Sequence, residues 1–141
     1  MSEFTILAGP TFSDSEVLAL YDSVGWTAYT REPAALVAGI RGSSFVVTAR
    51  STGGRLVGLA RAISDDASIC YLQDILVDPG FRKSGAGRAL LQEVQTRYRH
   101  VRQMVLITDN EPGQRAFYEA LGFTEGSDFH PEPVRVFAQF R

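Results

Sequence analysis

Residues 82–88, Arg-Lys-Ser-Gly-Ala-Gly-Arg, set three fixed positive charges around two glycines just ahead of a helical pattern. Such a loop has the chemistry of an anion cradle. Glycines let the backbone close around a ligand, successive N–H groups face phosphate oxygens, and the helix end adds positive potential. A bland alternative is a glycine-eased turn with solvated basic residues. Two familiar phosphate signatures are excluded. No Gly-x-x-x-x-Gly-Lys-[Ser/Thr] occurs, and Leu90 stands where the dinucleotide fingerprint needs its third glycine. Asp74 lies on the segment leading into the loop, and Tyr118 lies on a later helical segment. Both side chains can move protons.

The elements that must position these residues are legible as changes of period. Phe4–Leu7 reads as a short first strand. Ser13 to Glu16 has capping-box spacing, with Val17, Leu18, Leu20, Tyr21 and Val24 at helical spacing and Gly25 as a stop. Pro33 opens a second helix through about Ile40. Ser44–Ala49, Arg55–Ala62 and Ala67–Val77 read as strands joined by short turns, an antiparallel meander. From Gly85 a helix carries Ala86, Leu90, Val94 and Tyr98 every four residues, and Gln103–Thr108 is an apolar strand. Strand, helix, strand makes a crossover, so 67–77 and 103–108 should be parallel. A helix over Pro112–Leu121 ends at Gly122, and Val134–Phe140 alternates like a final strand. The predicted class is α/β: a mixed central sheet with an antiparallel N-terminal meander and a parallel central pair, flanked by helices.

At 141 residues the chain predicts one domain over 1–141. Its net charge of −2 and pI of about 5.6 argue against a broad nucleic-acid surface. The lone Cys70 excludes an intrachain disulfide and a cysteine metal cluster, and no metal site is expected. The first ten residues lack the layout of a signal peptide, and no window has the apolar length of a membrane span. The expectation is a cytoplasmic protein with no membrane or nucleic-acid partner.

"LVDPGFRKSGAGRALL", with Val77 and Arg82 to Gly87, resembles the coenzyme A signature of the GNAT superfamily of acetyl-CoA-dependent N-acetyltransferases. "RAFYEALGF", Arg115–Phe123, is similar to that family's Phe-Tyr-x-x-x-Gly-Phe segment. The order of elements fits the GNAT acyltransferase fold over nearly the whole chain. The resemblance implies that acetyl-CoA is the co-substrate and that Arg82, Lys83, Ser84, Gly85, Ala86, Gly87 and Arg88 bind its pyrophosphate. It implies that the two parallel strands splay and that backbone groups of Ile75, Leu76 and Val77 hold the pantetheine arm. The Ile75 N–H would stabilise the thioester oxygen as negative charge builds there. Tyr118 falls at the general-acid position; a helix tyrosine packing its ring is the alternative.

The base is open. Tyr71 aligns where some members carry a glutamate, and a tyrosine is a poor base at neutral pH. Asp74, Glu111 and water are options, although simple alternation points Asp74 away from Tyr71 and Ile75 unless a bulge intervenes. Glu111 also replaces an asparagine the family often has, with Asn110 one step earlier. Cys70 reads as a small buried apolar residue rather than a nucleophile. The acceptor pocket of the family draws on the first helices and late loops, which here offer Tyr21, Trp26 and Tyr29, with Asp128 and His130 at its mouth. The expected reaction is acetyl transfer to a primary amine of a small molecule. A protein N-terminus or lysine as acceptor, and a non-catalytic coenzyme A sensor, are the alternatives. The apolar final strand suggests a homodimer.

Overall fold

A computed structural model describes residues 3–9 and 11–141. The chain divides into two compact units, Met1–Ile107 and Thr108–Arg141.

The first unit is built on a sheet of strands β1 (Phe4–Ala8), β2 (Phe45–Ser51), β3 (Leu56–Ser64), β4 (Ile69–Val77) and β5 (Gln103–Leu106), in that spatial order. The first three pairings are antiparallel and β4–β5 is parallel. The expected meander and parallel central pair are therefore present. Helices α1 (Asp14–Ser23), α2 (Thr27–Thr30) and α3 (Pro33–Arg41) precede β2, and α4 (Ala86–Arg97) makes the crossover from β4 to β5. The short α2 has no signature in the sequence. It spans only four residues and has no side-chain cap.

Local chemistry starts these helices. Ser13 Oγ accepts the Glu16 N–H, and Glu16 accepts the Ser13 N–H at 2.8 Å, closing a capping box. Arg50 then grips the Glu16 carboxylate at 2.6 Å. Val17, Leu20 and Tyr21 of α1 and Leu36 and Ile40 of α3 pack with Val46, Leu56, Leu59 and Leu76 in one buried cluster. Each such side chain contributes on the order of 1.5–3 kcal/mol by leaving water. α4 covers the opposite face. A Cβ on Gly58 of β3 would lie 3.0 Å from Leu90 Cδ1 and 3.3 Å from Ala49 Cβ, so the helix seats closely only because this position lacks a side chain.

In the second unit, α5 (Pro112–Ala120) buries Tyr118 against the rings of Phe117 and Phe123, with centroids 5.0 and 5.9 Å away. Arg115 gathers the carboxylates of Glu119, Glu125 and Asp128. The expected strand over Val134–Phe140 does not form. Val134 N–H reaches the Gly126 carbonyl at 2.7 Å, and no ladder follows. Val136, Phe137 and Phe140 stand 64%, 88% and 86% exposed. Alternation records a preference for a half-buried pleat, but a strand also needs a partner, and 134–140 pair with no strand among the described residues.

Candidate active site

The site is assembled around the C-terminal half of β4. β3 and β4 pair regularly from Gly58–Val77 to Arg61–Asp74, after which Ala62 faces Leu72. Gln73 is thus an extra residue, a β-bulge. It changes which way the strand's side chains point. Cys70 and Leu72 oppose Ser64 and Ala62, on the alternation set of Gly58 and hence toward α4. Beyond the bulge Asp74 and Leu76 oppose Arg61 and Leu59, toward α1 and α3. Tyr71, opposite Ile63, shares that side with Asp74. Simple alternation, which would separate them, is corrected by the bulge.

The same residue marks the end of the β4–β5 ladder, which runs from Ile69–Gln103 to Leu72–Leu106. Gln73 to Val77 continue without a strand partner on that side among the described residues. The Asp78 N–H donates to the Val57 carbonyl at 2.7 Å, toward β3. Strand alternation then turns the N–H groups of Val77 and Ile75 the other way, into the opening. An extended chain entering here finds a free strand edge.

Asp74 is buried and fully engaged. Tyr21 and Tyr29 donate their hydroxyls to it at 2.9 and 2.8 Å, and Arg61 Nε donates at 2.6 Å. Gln73 Nε2 donates to the Tyr29 hydroxyl at 2.9 Å, and Arg61 also reaches Gly39 O and Ser43 Oγ. Burial and the Asp74 charge push both phenols above their ordinary pKa, so neither serves as a base. A carboxylate held by an arginine and two phenols suits an anchor better than a proton acceptor, because protonating it would leave Arg61 unpaired. Tyr21, Trp26 and Tyr29 do come together. Their ring centroids lie 5.4 to 6.1 Å apart, and Trp26 and Tyr29 are only partly buried. Tyr71 is also pushed up by burial and by Asp74. Cys70 is inaccessible, and burial raises its thiol to about 11, which removes it as a nucleophile.

The loop after β4 leaves donors unspent. Asp78 accepts the Gly80 N–H at 2.8 Å and binds Arg55 at 2.9 Å, fixing the turn over Pro79–Phe81. Lys83 and Gly85 both adopt left-handed φ, +64° and +91°. Gly85 is the N-cap of α4 and brings no capping side chain. The Ala86 N–H goes to Ser84 Oγ, whereas those of Gly87 and Arg88 have no intrahelical partner by position. Left-handed residues in such a turn can aim successive N–H groups at one point, which is one way backbone binds phosphate. Arg82, Lys83 and Arg88 are exposed around it, and the Ala86 side chain is buried beneath. Among the described residues no group of His, Cys, Asp or Glu is arranged to hold a metal.

Within the second unit, burial pushes the Tyr118 phenol above its ordinary value, with the Thr108 side chain pulling the other way. Asp128 is held by Arg115, and His130 is exposed. Glu111 is the N-cap of α5 without a side-chain cap bond, and its N–H goes to Asp109 at 3.1 Å.

A model of the acetyltransferase (GNAT) domain matches residues 41–125. The chain belongs to the GNAT acetyltransferase family. It is 33% identical over 121 residues to the histone acetyltransferase TAP1 of Glycine max, covering 77% of this chain and 50% of that protein. A GNAT-family acetyltransferase from Streptococcus pneumoniae TIGR4 superposes with a TM-score of 0.79 at 27% identity, over 98% of this chain and all of that one. An aminoglycoside N-acetyltransferase solved with CoA shares the fold at a TM-score of 0.71 and 20% identity, over 100% of this chain and 96% of that one. The chain spans about half to two thirds of the length of the first curated relatives it matches. GNAT enzymes use acetyl-CoA, and the residues present fit it: the nest at 83–88 suits a pyrophosphate, and the free edge of β4 suits an extended amide-containing arm.

Sequence reasoning missed Arg61 and Gln73. Arg61 carried a signal, a charged residue alternating with apolar ones in a strand with small buried neighbours. Gln73 carried none, since a bulge is a property of a strand pair.

Proposed function

We propose that residues 1–141 form one N-acetyltransferase domain that moves the acetyl group of acetyl-CoA to a primary amine of a small molecule. The observation that carries this is the unpaired edge of β4, with the Ile75 and Val77 N–H groups facing the opening just ahead of the phosphate nest. The neutral amine attacks the thioester carbonyl carbon. The Ile75 N–H stabilises the oxyanion, the C–S bond breaks, and Tyr118 gives its proton to the departing thiolate, later regaining one from solvent. The ammonium proton leaves through water, because Asp74 is committed to Arg61 and two phenols. The partly exposed rings of Trp26 and Tyr29, backed by the buried Tyr21, favour acceptors with an apolar or aryl body beside the amine. Protein amines are the second reading, supported by the likeness to a histone acetyltransferase.

Acetyl-CoA at saturation should raise the melting temperature while ATP and NAD do not. No shift would sink the coenzyme assignment. Thiol release across a panel of aryl-alkyl amines, polyamines and aminoglycosides, beside a histone-tail peptide, then chooses the acceptor class. Silence across all of it, with coenzyme bound, would favour a sensor. The exposed arm of Val136, Phe137 and Phe140 supports a homodimer. A monomer at every concentration in sedimentation would remove that reading.

A further inference from the structure

The bulge of β4 and the end of the β4–β5 ladder coincide. Gln73 is the inserted residue, and Leu72 is the last to pair with β5. The strand therefore leaves its partner where its own backbone is irregular. Beyond that point β3 is its one strand partner among the described residues, and the bulge bends the strand and raises its local twist. The β3 ladder sets which way the Ile75 N–H faces, and the side chains at the bend can set the angle of the bend.

The side chains at and beside the bulge supply a restraint. Gln73 Nε2 donates to the Tyr29 hydroxyl at 2.9 Å, and that hydroxyl donates to Asp74 Oδ1 at 2.8 Å. Asp74 Oδ2 accepts from Tyr21 at 2.9 Å and from Arg61 Nε at 2.6 Å. Arg61 Nη1 goes on to Gly39 O at 3.1 Å and Ser43 Oγ at 3.3 Å. Two consecutive residues of the bulge are thereby tied to α1, α2, α3 and β3. Among the described residues no buried side-chain polar atom lacks a partner, those of Asp74 and Arg61 included. The Tyr29 hydroxyl spends its proton on Asp74 while accepting from Gln73, which suits a strut rather than a reacting group.

We propose that Gln73 and Tyr29 are positioning residues, acting through Asp74 to fix the angle at which the Ile75 and Val77 N–H groups face the opening. They set where the thioester carbonyl of acetyl-CoA is polarised without touching it. This rests on the acetyl-CoA reading above, but the strut can be measured without ligand.

Three variants test it: Tyr29→Phe, Gln73→Ala and the two combined. Each single variant keeps Asp74 paired with Arg61, so both should fold. In the free proteins, the Ile75 and Val77 amide resonances should move in both singles while those of Arg82 to Arg88 stay in place. With acetyl-CoA carrying ¹³C at its carbonyl and held at saturation, the wild-type thioester stretch should fall below its value in water. Both variants should recover part of that fall, and acetyl-CoA affinity should weaken by about 3–10-fold. The double variant should lose no more than the worse single, since one strut is cut twice. Unmoved Ile75 and Val77 amides in both singles, or losses that add in the double, would overturn the strut. If acetyl-CoA fails to bind the wild type, the functional reading falls instead, and the free-protein amides still decide the strut.

Discussion

The two ends of the C-terminal half of β4 treat polar groups in opposite ways. At the bulge, both Asp74 oxygens are spent on the side chains of Tyr21, Tyr29 and Arg61, and the Tyr29 hydroxyl also accepts from Gln73. At the loop, Ser84 takes the Ala86 N–H, whereas those of Gly87 and Arg88 have no intrahelical partner by position, behind a glycine N-cap that brings no side-chain oxygen. The first end is closed by side-chain bonds and, on the strut proposed above, serves geometry. The second keeps donors open and, on the proposed acetyl-CoA reading, serves binding. A strand that must present one N–H accurately and also grip a long charged cofactor gains from keeping these tasks apart.

That contrast can be broken at its closed end with the largest effect. Asp74→Ala leaves Arg61 buried and unpaired, and removing one partner of such a pair costs about 3–5 kcal/mol. Chemical denaturation should show a loss of that size; a loss under about 1 kcal/mol would mean the pair is solvated. Tyr118→Phe comes next. It should slow thiol release by about 10²-fold and leave coenzyme binding unchanged, and loss of binding would make Tyr118 structural.

The pH profile sharpens the same assignment. Because burial raises the Tyr118 pKa, the acid limb should be lost only as pH climbs above the ordinary phenol range. The rate should therefore rise with amine deprotonation and turn over on the alkaline side. A turnover at neutral pH would name another acid.

At the open end, Gly85→Ala keeps the N–H groups but places a side chain at φ +91°, costing about 1–2 kcal/mol. Acetyl-CoA affinity should weaken with it, measured by calorimetry, while pantetheine fragments lacking the diphosphate bind as before. The smallest effect lies away from both ends. Arg50 and the Ser13 N–H hold Glu16 down from its ordinary 4.5 to about 2. A depressed carboxylate stabilises the fold above 4.5 and loses that contribution as pH falls toward 2. The melting temperature of Glu16→Gln should trail wild type at neutral pH and converge with it near pH 2. The pair is partly exposed, so salt should narrow the gap.

The open end was legible in the sequence and the closed end was not. Arg82 to Arg88 is a local motif whose glycines, charges and helix start lie within one turn of each other, so its chemistry is written consecutively. Tyr118 likewise sits in a contiguous segment. The Asp74 cluster joins residues from α1, α2, α3, β3 and β4, and depends on which strand residue bulges out. For that reason alternation alone separates Asp74 from Tyr71, which the bulge brings to one side, while its separation from Ile75 stands. The aromatic residues Tyr21, Trp26 and Tyr29 were visible as a group, but their hydroxyl partners were not. The last strand failed in a different way. Val134 to Phe140 has the side-chain pattern of a strand, yet pairing is decided by backbone elsewhere.

The parallel pairing of β4 with β5 also has a consequence in time. Its two strands are separated in the chain by the whole of α4, so their contacts close a long loop, whereas β2, β3 and β4 meet through short turns. Loop closure of that length delays pairing. The meander and its bulge should therefore be in place first, with β5 docking afterwards only as far as Leu72. The opening beside Gln73 is then the point where the zippering of the last strand stops, fixed before any coenzyme is present to hold it apart.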